Sequence, residues 1–342
     1  MALLILFLII DFALLCFVVG YVIKTERKRI KATESATKPK KGEGKVLNFI
    51  RKNYVGYLFV LPLIIGISVF TFYPIASSFV YSFFDMDLIN PPTNFGFHNY
   101  VAIFAGKEAP LFWKSVGNTL VYAVISIPVS MVLSYLLALM IEKNTAINKT
   151  FRVVYYIPTL MPAVIAGVIW GDILNTDYGV LNVILRDYLG QPTFDFLNRY
   201  NIMGSFIGSR LLTIGGGMVI WIAAFKAIPQ DLYEAASIDG AGRLRKFFAV
   251  TVPLSTPSIF YNLVTGIIGA FQVFGSAYVM TGGTGGDDKA LLFVVMHIYN
   301  VAFERVNFGV SSAMSWILFA IIGILTVISF KTKKWVHYGE DA

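Results

Sequence analysis

Seven runs of about twenty apolar residues dominate this chain, at roughly 3–23, 56–80, 116–141, 153–174, 205–226, 258–280 and 311–330. A bilayer core of about 30 Å demands helices of this length, because each residue rises about 1.5 Å and every backbone N–H and C=O must be paired inside the segment. The alternation of membrane β-strands is absent from these runs. The expected class is therefore an all-α polytopic membrane protein with about seven transmembrane helices. Composition agrees, since 56% of the 342 residues are hydrophobic and 14% charged, too little polar surface for a soluble domain. Cys16 is the only cysteine, which excludes an internal disulfide and a cysteine-based metal cluster. His98, His297 and His337 are too dispersed for a metal site.

Charge then orients the spans. Between Lys24 and Lys52 lie eleven Lys or Arg against three Glu, which accounts for the whole formal charge of +8. No aromatic or glycine pattern interleaves these lysines, so nucleic acid is not expected as a partner. The run reads as a cytoplasmic topology signal, with some attraction for anionic headgroups. Counting crossings puts 142–152, 228–257 and the tail from Lys331 inside, and 81–115, 175–204 and 281–310 outside. The N-terminus is then outside and the C-terminus inside a cell membrane. The first run lacks a basic start and carries Asp11 in its middle, so it reads as an anchor rather than a signal peptide.

Between two spans stands the polar stretch "IPQDLYEAASIDGAGRLRKFFAVTVPLSTP", Ile228 to Pro257. Pro229 suits the first turn of a helix, Asp231 and Glu234 favour its positive end, and Gly240 is placed to stop it in a left-handed conformation. A second short helix is expected from Arg243 to Val250, ended by Pro253. Ala235 and Ala236 offer a small-residue surface for close packing by a partner.

Glu234-Ala235-Ala236, three residues, Gly240, nine residues, then Val250-Thr251-Val252-Pro253 resembles the EAA loop of binding-protein-dependent ABC importer permeases. The usual ending is Ile-x-Leu-Pro, and valine replaces both aliphatic residues here. The longer "DLYEAASIDGAG" resembles the carbohydrate branch and is similar to the larger maltose-type subunit. "FVLPLIIGISVFTFYPIASSFVYSF", "YIPTLMPAVIAGVIWGDIL" and "IYNVAFERVNFGVSSAMSWILF" extend the resemblance over about 54–338. It implies a six-helix type I importer core over 54–342, with an extra N-terminal helix at 1–23 and a basic linker at 24–53. It also implies that 228–257 is a coupling loop docking on a separate ATPase. By match of motif Glu234 would meet that ATPase, Gly240 would make the turn, and Ala235, Ala236 and Asp239 would line the contact. The implied partners are a second homologous permease, two ABC ATPase subunits, an extracellular or periplasmic sugar-binding protein, and membrane lipid. ATP and Mg would be bound on the partner subunits, with no cofactor or metal on this chain and no catalytic constellation.

"TGGTGGDDK", Thr281 to Lys289, lacks the Gly-Lys-Ser/Thr ending of a phosphate cradle and reads as a flexible outer turn. It resembles the family's "TGGGP" loop, without the proline, and such a loop could contact the binding protein. Pro158 and Pro162 open a helix ladder either beside a cavity or for packing. Gly215, Gly216 and Gly217 either allow close helix approach or leave room for a ligand.

A sugar needs hydrogen-bonding groups at mid-membrane and aromatic faces to stack on. Thr159, Ser209, Thr213, Asn262 and Gln272, with Tyr122, Tyr156, Trp221, Phe271 and Trp316, are the candidates. Thr159, Ser209, Thr213, Phe271 and Gln272 are the chosen substrate-binding set, with Gln272 and Thr213 expected to converge on one pocket. Spans two to seven are expected to keep Lys, Arg, Asp and Glu out of their depths, against an ionic substrate and against proton coupling. The reading is an ATP-driven carbohydrate importer permease, for an oligosaccharide. The alternatives are the same machine for a solute such as glycerol phosphate, which a basic cavity would favour, or an ion-driven carrier, which a membrane carboxylate and internal repeats would favour.

Overall fold

The computed structural model describes Gly56, residues 59–87 and residues 89–337. The expected first span, 3–23, and the basic linker 24–53 lie outside the described residues. The chain divides into two units, Met1–Ser78 and Phe79–Ala342. In the first, α1 (Phe59–Tyr81, ending three residues inside the second unit) is long and apolar enough to cross a membrane, and Leu63, Phe72 and Tyr73 stay exposed along it. A π-helical turn at Ser68–Phe72, closed by the Tyr73 N–H on the Ser68 carbonyl, precedes Pro74. A proline ring collides with the carbonyl four residues back in a regular turn; the wider turn removes the collision and the helix continues.

Among the described residues the second unit is built of helices and loops with one isolated bridge between Asp85 and Thr93. Its elements are α2 (His98–Phe104), α3 (Ala109–Ile141), α4 (Ala146–Tyr156), α5 (Ala163–Ile173), α6 (Ile202–Leu211), α7 (Gly215–Ala227) and α8 (Gln230–Ile238). They continue with α9 (Arg243–Lys246), α10 (Thr256–Phe271), α11 (Gly275–Met280), α12 (Val294–Tyr299) and α13 (Phe308–Lys331). Among the described residues four helices are long and apolar enough to cross a bilayer, and six spans result if each bent pair counts as one. These six coincide with the second to seventh apolar runs.

Two of the six are broken, one of them at the expected proline pair. From α4, through a 3₁₀ turn at Ile157–Leu160, the chain bends by 99° into α5. Pro162 is the cause: Met161 before it takes an extended backbone, φ −69° and ψ 130°, because proline excludes its predecessor from the helical region. The second break bends α6 by 46° into α7 across residues 212–214. At its far side Gly215 lies against α4, where an added Cβ would fall 2.0 Å from the Tyr155 carbonyl oxygen. Close approach is thus the use of Gly215, while Gly217 faces the cavity described below.

One core cluster gathers Tyr122 and Ile127 of α3, Phe206 of α6, Phe271 of α10, Phe293, and Met314 of α13. The rings of Tyr122, Phe206 and Phe293 stand 5.3 to 5.6 Å apart, the spacing of attractive edge contacts. A second cluster joins Ala138 and Ile141 of α3 to Met218, Trp221, Ile222 and Phe225 of α7. The loop before α12 is tied to α3 by polar bonds: Asn118 Nδ2 donates to the Lys289 and Leu292 carbonyls, and the Val294 N–H to Thr119 Oγ1.

Candidate functional site

A cavity of about 390 Å³ opens between α3, the α6–α7 break and α10. One wall is a stripe on α3: Tyr122, Ser126, Ser130 and Ser134, every fourth residue and so on one helical face. Asn262, Thr265, Gly266 and Gly269 of α10 form a second wall. Arg210, Thr213, Ile214 and Gly217 line the third, at the break. A side chain at position 217 would reach within 3.3 Å of Ser134 Oγ and narrow the space.

Four of the lining hydroxyls donate to the helices that carry them. Ser130 donates to the Ile127 carbonyl, Ser134 to Met131, Thr213 to Arg210 and Thr265 to Tyr261. Asn262 Nδ2 donates to the Ser258 carbonyl. The oxygens keep accepting capacity, so the lining presents a row of acceptors suited to a ligand rich in O–H donors.

The chosen substrate set does not gather around this cavity. Thr213 lines it. Ser209 is buried in an adjoining gap of about 10 Å³ that Thr213 and Arg210 also reach. The Thr159 hydroxyl donates to the Tyr156 carbonyl within its own turn. Phe271 is packed into the core and Gln272 is exposed. Gln272 and Thr213 therefore do not converge, because α10 ends at Phe271 and Gln272, at φ −104° and ψ 11°, has left the helical register. The expectation of uncharged span interiors also fails: Arg210, within the run 205–226, stands on the cavity wall. The serine stripe was the signal that sequence reasoning passed over.

At one end of the second unit lies the turned arm. Pro229 caps α8 rather than entering its first turn, Asp231 stands in that first turn, and Gly240 takes φ +74°. Pro253 does not end the second helix: a π-helical turn at Phe247–Thr251 widens it two residues ahead of the proline, and it runs on to Leu254. The same device precedes Pro74 at the same spacing. The arm is closed by Tyr233 Oη and Thr251 Oγ1 at 2.9 Å and by Lys246 Nζ donating to Ser237 Oγ. Glu234, Ala235, Asp239 and Gly240 are exposed and Ala236 half-buried, beside Ile238 and Leu244 at 87% and 76% exposure.

Packed side chains connect arm and cavity. Phe247 lies 6.1 Å from the Tyr135 ring, which meets Trp221 at 5.0 Å. Tyr135 Oη bonds Ser255 Oγ, and Trp221 Nε1 donates to Ser134 Oγ on the cavity wall at 2.9 Å.

A polar triad outside the spans fixes the opposite end. Glu108 takes Arg305 Nη1 on both oxygens at 2.9 Å, and His297 Nε2 lies 3.6 Å from the same carboxylate. That separation is too long for a hydrogen bond. Burial, with the charges of Arg305 and Lys289, holds the His297 pKa down to about 4; the nearby carboxylate, already paired to Arg305, does not offset this. Nearby, Gly282, Gly283, Gly285 and Gly286 all take positive φ, and Asp288 pairs with Lys114 at 2.9 Å.

Helical spans, two of them broken, around a polar cavity that packing joins to a turned arm are the architecture of a membrane transport subunit. The chain belongs to the family described as the inner membrane component of binding-protein-dependent transport systems, whose model matches residues 98–335. It is 34% identical to the probable ABC transporter permease protein YesP of Bacillus subtilis over 84% of this chain and 94% of that one. It is 32% identical to the sulfoquinovosyl glycerol transport system permease protein SmoG of Agrobacterium fabrum, over 79% and 87%. A bacterial ABC transporter that imports the acidic polysaccharide alginate has the same fold, at TM-score 0.76 and 21% identity, covering 86% of this chain and all of that one. The chain is a multi-pass inner membrane permease subunit, and the ion-driven carrier is set aside.

Proposed function

We propose that the cargo is a carbohydrate, an oligosaccharide, moved by alternating access around the cavity between α3, α6–α7 and α10. The observation that carries this is the stripe from Tyr122 to Ser134: twelve residues of helix give about 18 Å of hydroxyl-bearing wall, matched to an elongated polyol rather than to a compact solute. The sugar-related name of the SmoG relative supports the same class. Glycerol phosphate is the second reading, favoured by Arg210 but not by the length of the stripe.

On this reading the α8–α9 arm faces the cytoplasm and docks on one of two ABC ATPase subunits, where ATP and Mg are bound. Glu234, Ala235, Ala236 and Asp239 form the contact and Gly240 holds its turn. A second permease completes the pathway, and an extracellular or periplasmic binding protein delivers the sugar to the opposite end. The N-terminus lies outside and the C-terminus inside.

The test is uptake of a labelled glycan panel by cells expressing the full importer, with Glu234→Lys as control. Wild-type cells should accumulate a glycan; the charge-reversed variant should insert, keep its permease partner, lose ATPase co-purification and lose uptake. Accumulation of glycerol phosphate and no glycan would overturn the carbohydrate reading. Normal uptake by the variant would overturn the docking role.

A further inference from the structure

Among the residues lining the cavity, Arg210 is the one that carries charge. It occupies the last turn of α6, at the break, and its side chain is half-buried. Among the described residues no hydrogen-bond or ion-pair partner takes its guanidinium, and no Asp or Glu lines the cavity. Ile214, which caps α7, and Gly217 in its first turn join the same wall, and the negative end of the α6 macrodipole favours a cation in that helix's last turn.

An unpaired cation within a span is costly and points to the substrate path. The guanidinium cannot discharge itself by losing a proton, since its pKa lies far above physiological pH. It presents five donors in a planar fork that fits an oxyanion on two oxygens. Much of the lining offers the reverse chemistry: the hydroxyls of Ser130, Ser134, Thr213 and Thr265 have given their protons to carbonyls and keep accepting oxygens, as does the Asn262 amide oxygen. A neutral sugar would satisfy those acceptors and leave the arginine without its natural partner. A ligand carrying O–H groups along most of its length and one oxyanion at an end satisfies both.

We propose that Arg210 is the recognition point for an anionic group, a carboxylate, sulfonate or phosphate, carried by the transported carbohydrate. This rests on the carbohydrate reading and narrows it to acidic sugars. Thr213, three residues on, contributes an acceptor for a neighbouring hydroxyl, and the serine stripe holds the neutral remainder.

The test uses the purified complex of this chain with its partner subunits, without the binding protein, titrated with three probes. Cellobiouronic acid and cellobiose differ by a carboxylate in place of a hydroxymethyl group, and sn-glycerol 3-phosphate supplies an anion without a sugar ring. Wild type should bind the uronate about tenfold or more tightly than cellobiose, as a charge-assisted hydrogen bond implies. Arg210→Gln should erase that preference by weakening the uronate about tenfold more than it weakens cellobiose, while Arg210→Lys should keep part of it. Equal binding of the two disaccharides by wild type overturns the proposal, whether or not the variants fold. So does a preference that survives Arg210→Gln, or equal weakening of both sugars with loss of complex, which would make Arg210 an ion-pair partner of another subunit. Arginine-dependent binding of glycerol phosphate with neither sugar bound keeps the anion role and overturns the carbohydrate reading. If none of the three binds, Arg210 is not a substrate contact, and uptake of the glycan panel judges the carbohydrate reading on its own.

Discussion

His297 is 2% exposed and lies 3.6 Å from a carboxylate that Arg305 already occupies. A folded-state pKa of about 4 against an ordinary 6.5 makes it a proton acceptor only in the unfolded chain over that range. Below pH 6.5 protonation therefore favours unfolding, by up to about 1.4 kcal/mol per pH unit, until the folded pKa is reached. The stabilisation is complete above 6.5 and fades toward 4. Thermal unfolding of the detergent-solubilised protein should shift to lower temperature between pH 7 and pH 5. His297→Gln should flatten this dependence, and an unchanged slope in the variant would remove His297 as its source. Gln272, which sequence placed in a pocket, is exposed where α10 ends, so its truncation is not a probe of the cavity.

At the scale of elements, prolines do two different things in this chain. Before Pro74 and Pro253 a π-helical turn absorbs the ring and the helix runs on. At Pro162 there is no such turn, Met161 swings to an extended backbone, and the span breaks by 99°. Pro128 lies inside α3 and that helix also runs on, without such a turn, so proline by itself does not decide whether a span breaks. Glycine is equally positional. Gly215→Leu would drive a Cβ to 2.0 Å from the Tyr155 carbonyl, which is backbone and cannot rotate away. The variant should lose about 1–3 kcal/mol of stability as α4 and α7 are forced apart. Gly217→Leu, by contrast, would meet the Ser134 side chain at 3.3 Å and the cavity beyond it, not backbone, so it should cost less stability than Gly215→Leu while blocking uptake. Melting in detergent beside transport assays separates the two. If Gly215→Leu melts like wild type, the close approach of α4 and α7 is not as tight as the geometry states.

For the whole molecule, the arm and the glycine loop lie in opposite intervals of the span count, so their sidedness is directly measurable. Cys16 is the single native cysteine; replacing it by serine gives a clean background. With Ser237→Cys on the arm and Thr284→Cys in the glycine loop, both exposed, a membrane-impermeant maleimide should label position 284 in intact cells. Position 237 should react only after permeabilisation. The reversed pattern would invert the orientation and with it the cytoplasmic placement of the arm. Arm and cavity are bridged through Phe247, Tyr135, Trp221 and Ser134, so movement at a docked arm has a contiguous packed route to the substrate wall.

The all-α membrane class, the positions of the second to seventh runs and the left-handed turn at Gly240 were legible from sequence, because bilayer thickness sets run length and only glycine takes φ +74° without strain. The EAA spacing was legible for a similar reason, since it is local in the chain. The cavity was not. Its walls come from three separate regions, α3, α10 and the break at residues 212–214. The packing of those helices decides which polar residue faces inward, so that Arg210 and the serines at 126, 130 and 134 enter the site while Phe271 packs into the core and Gln272 leaves the helix. Hydrophobicity determines that a segment enters the membrane; only the packing of one broken helix against another determines what it shows to a substrate.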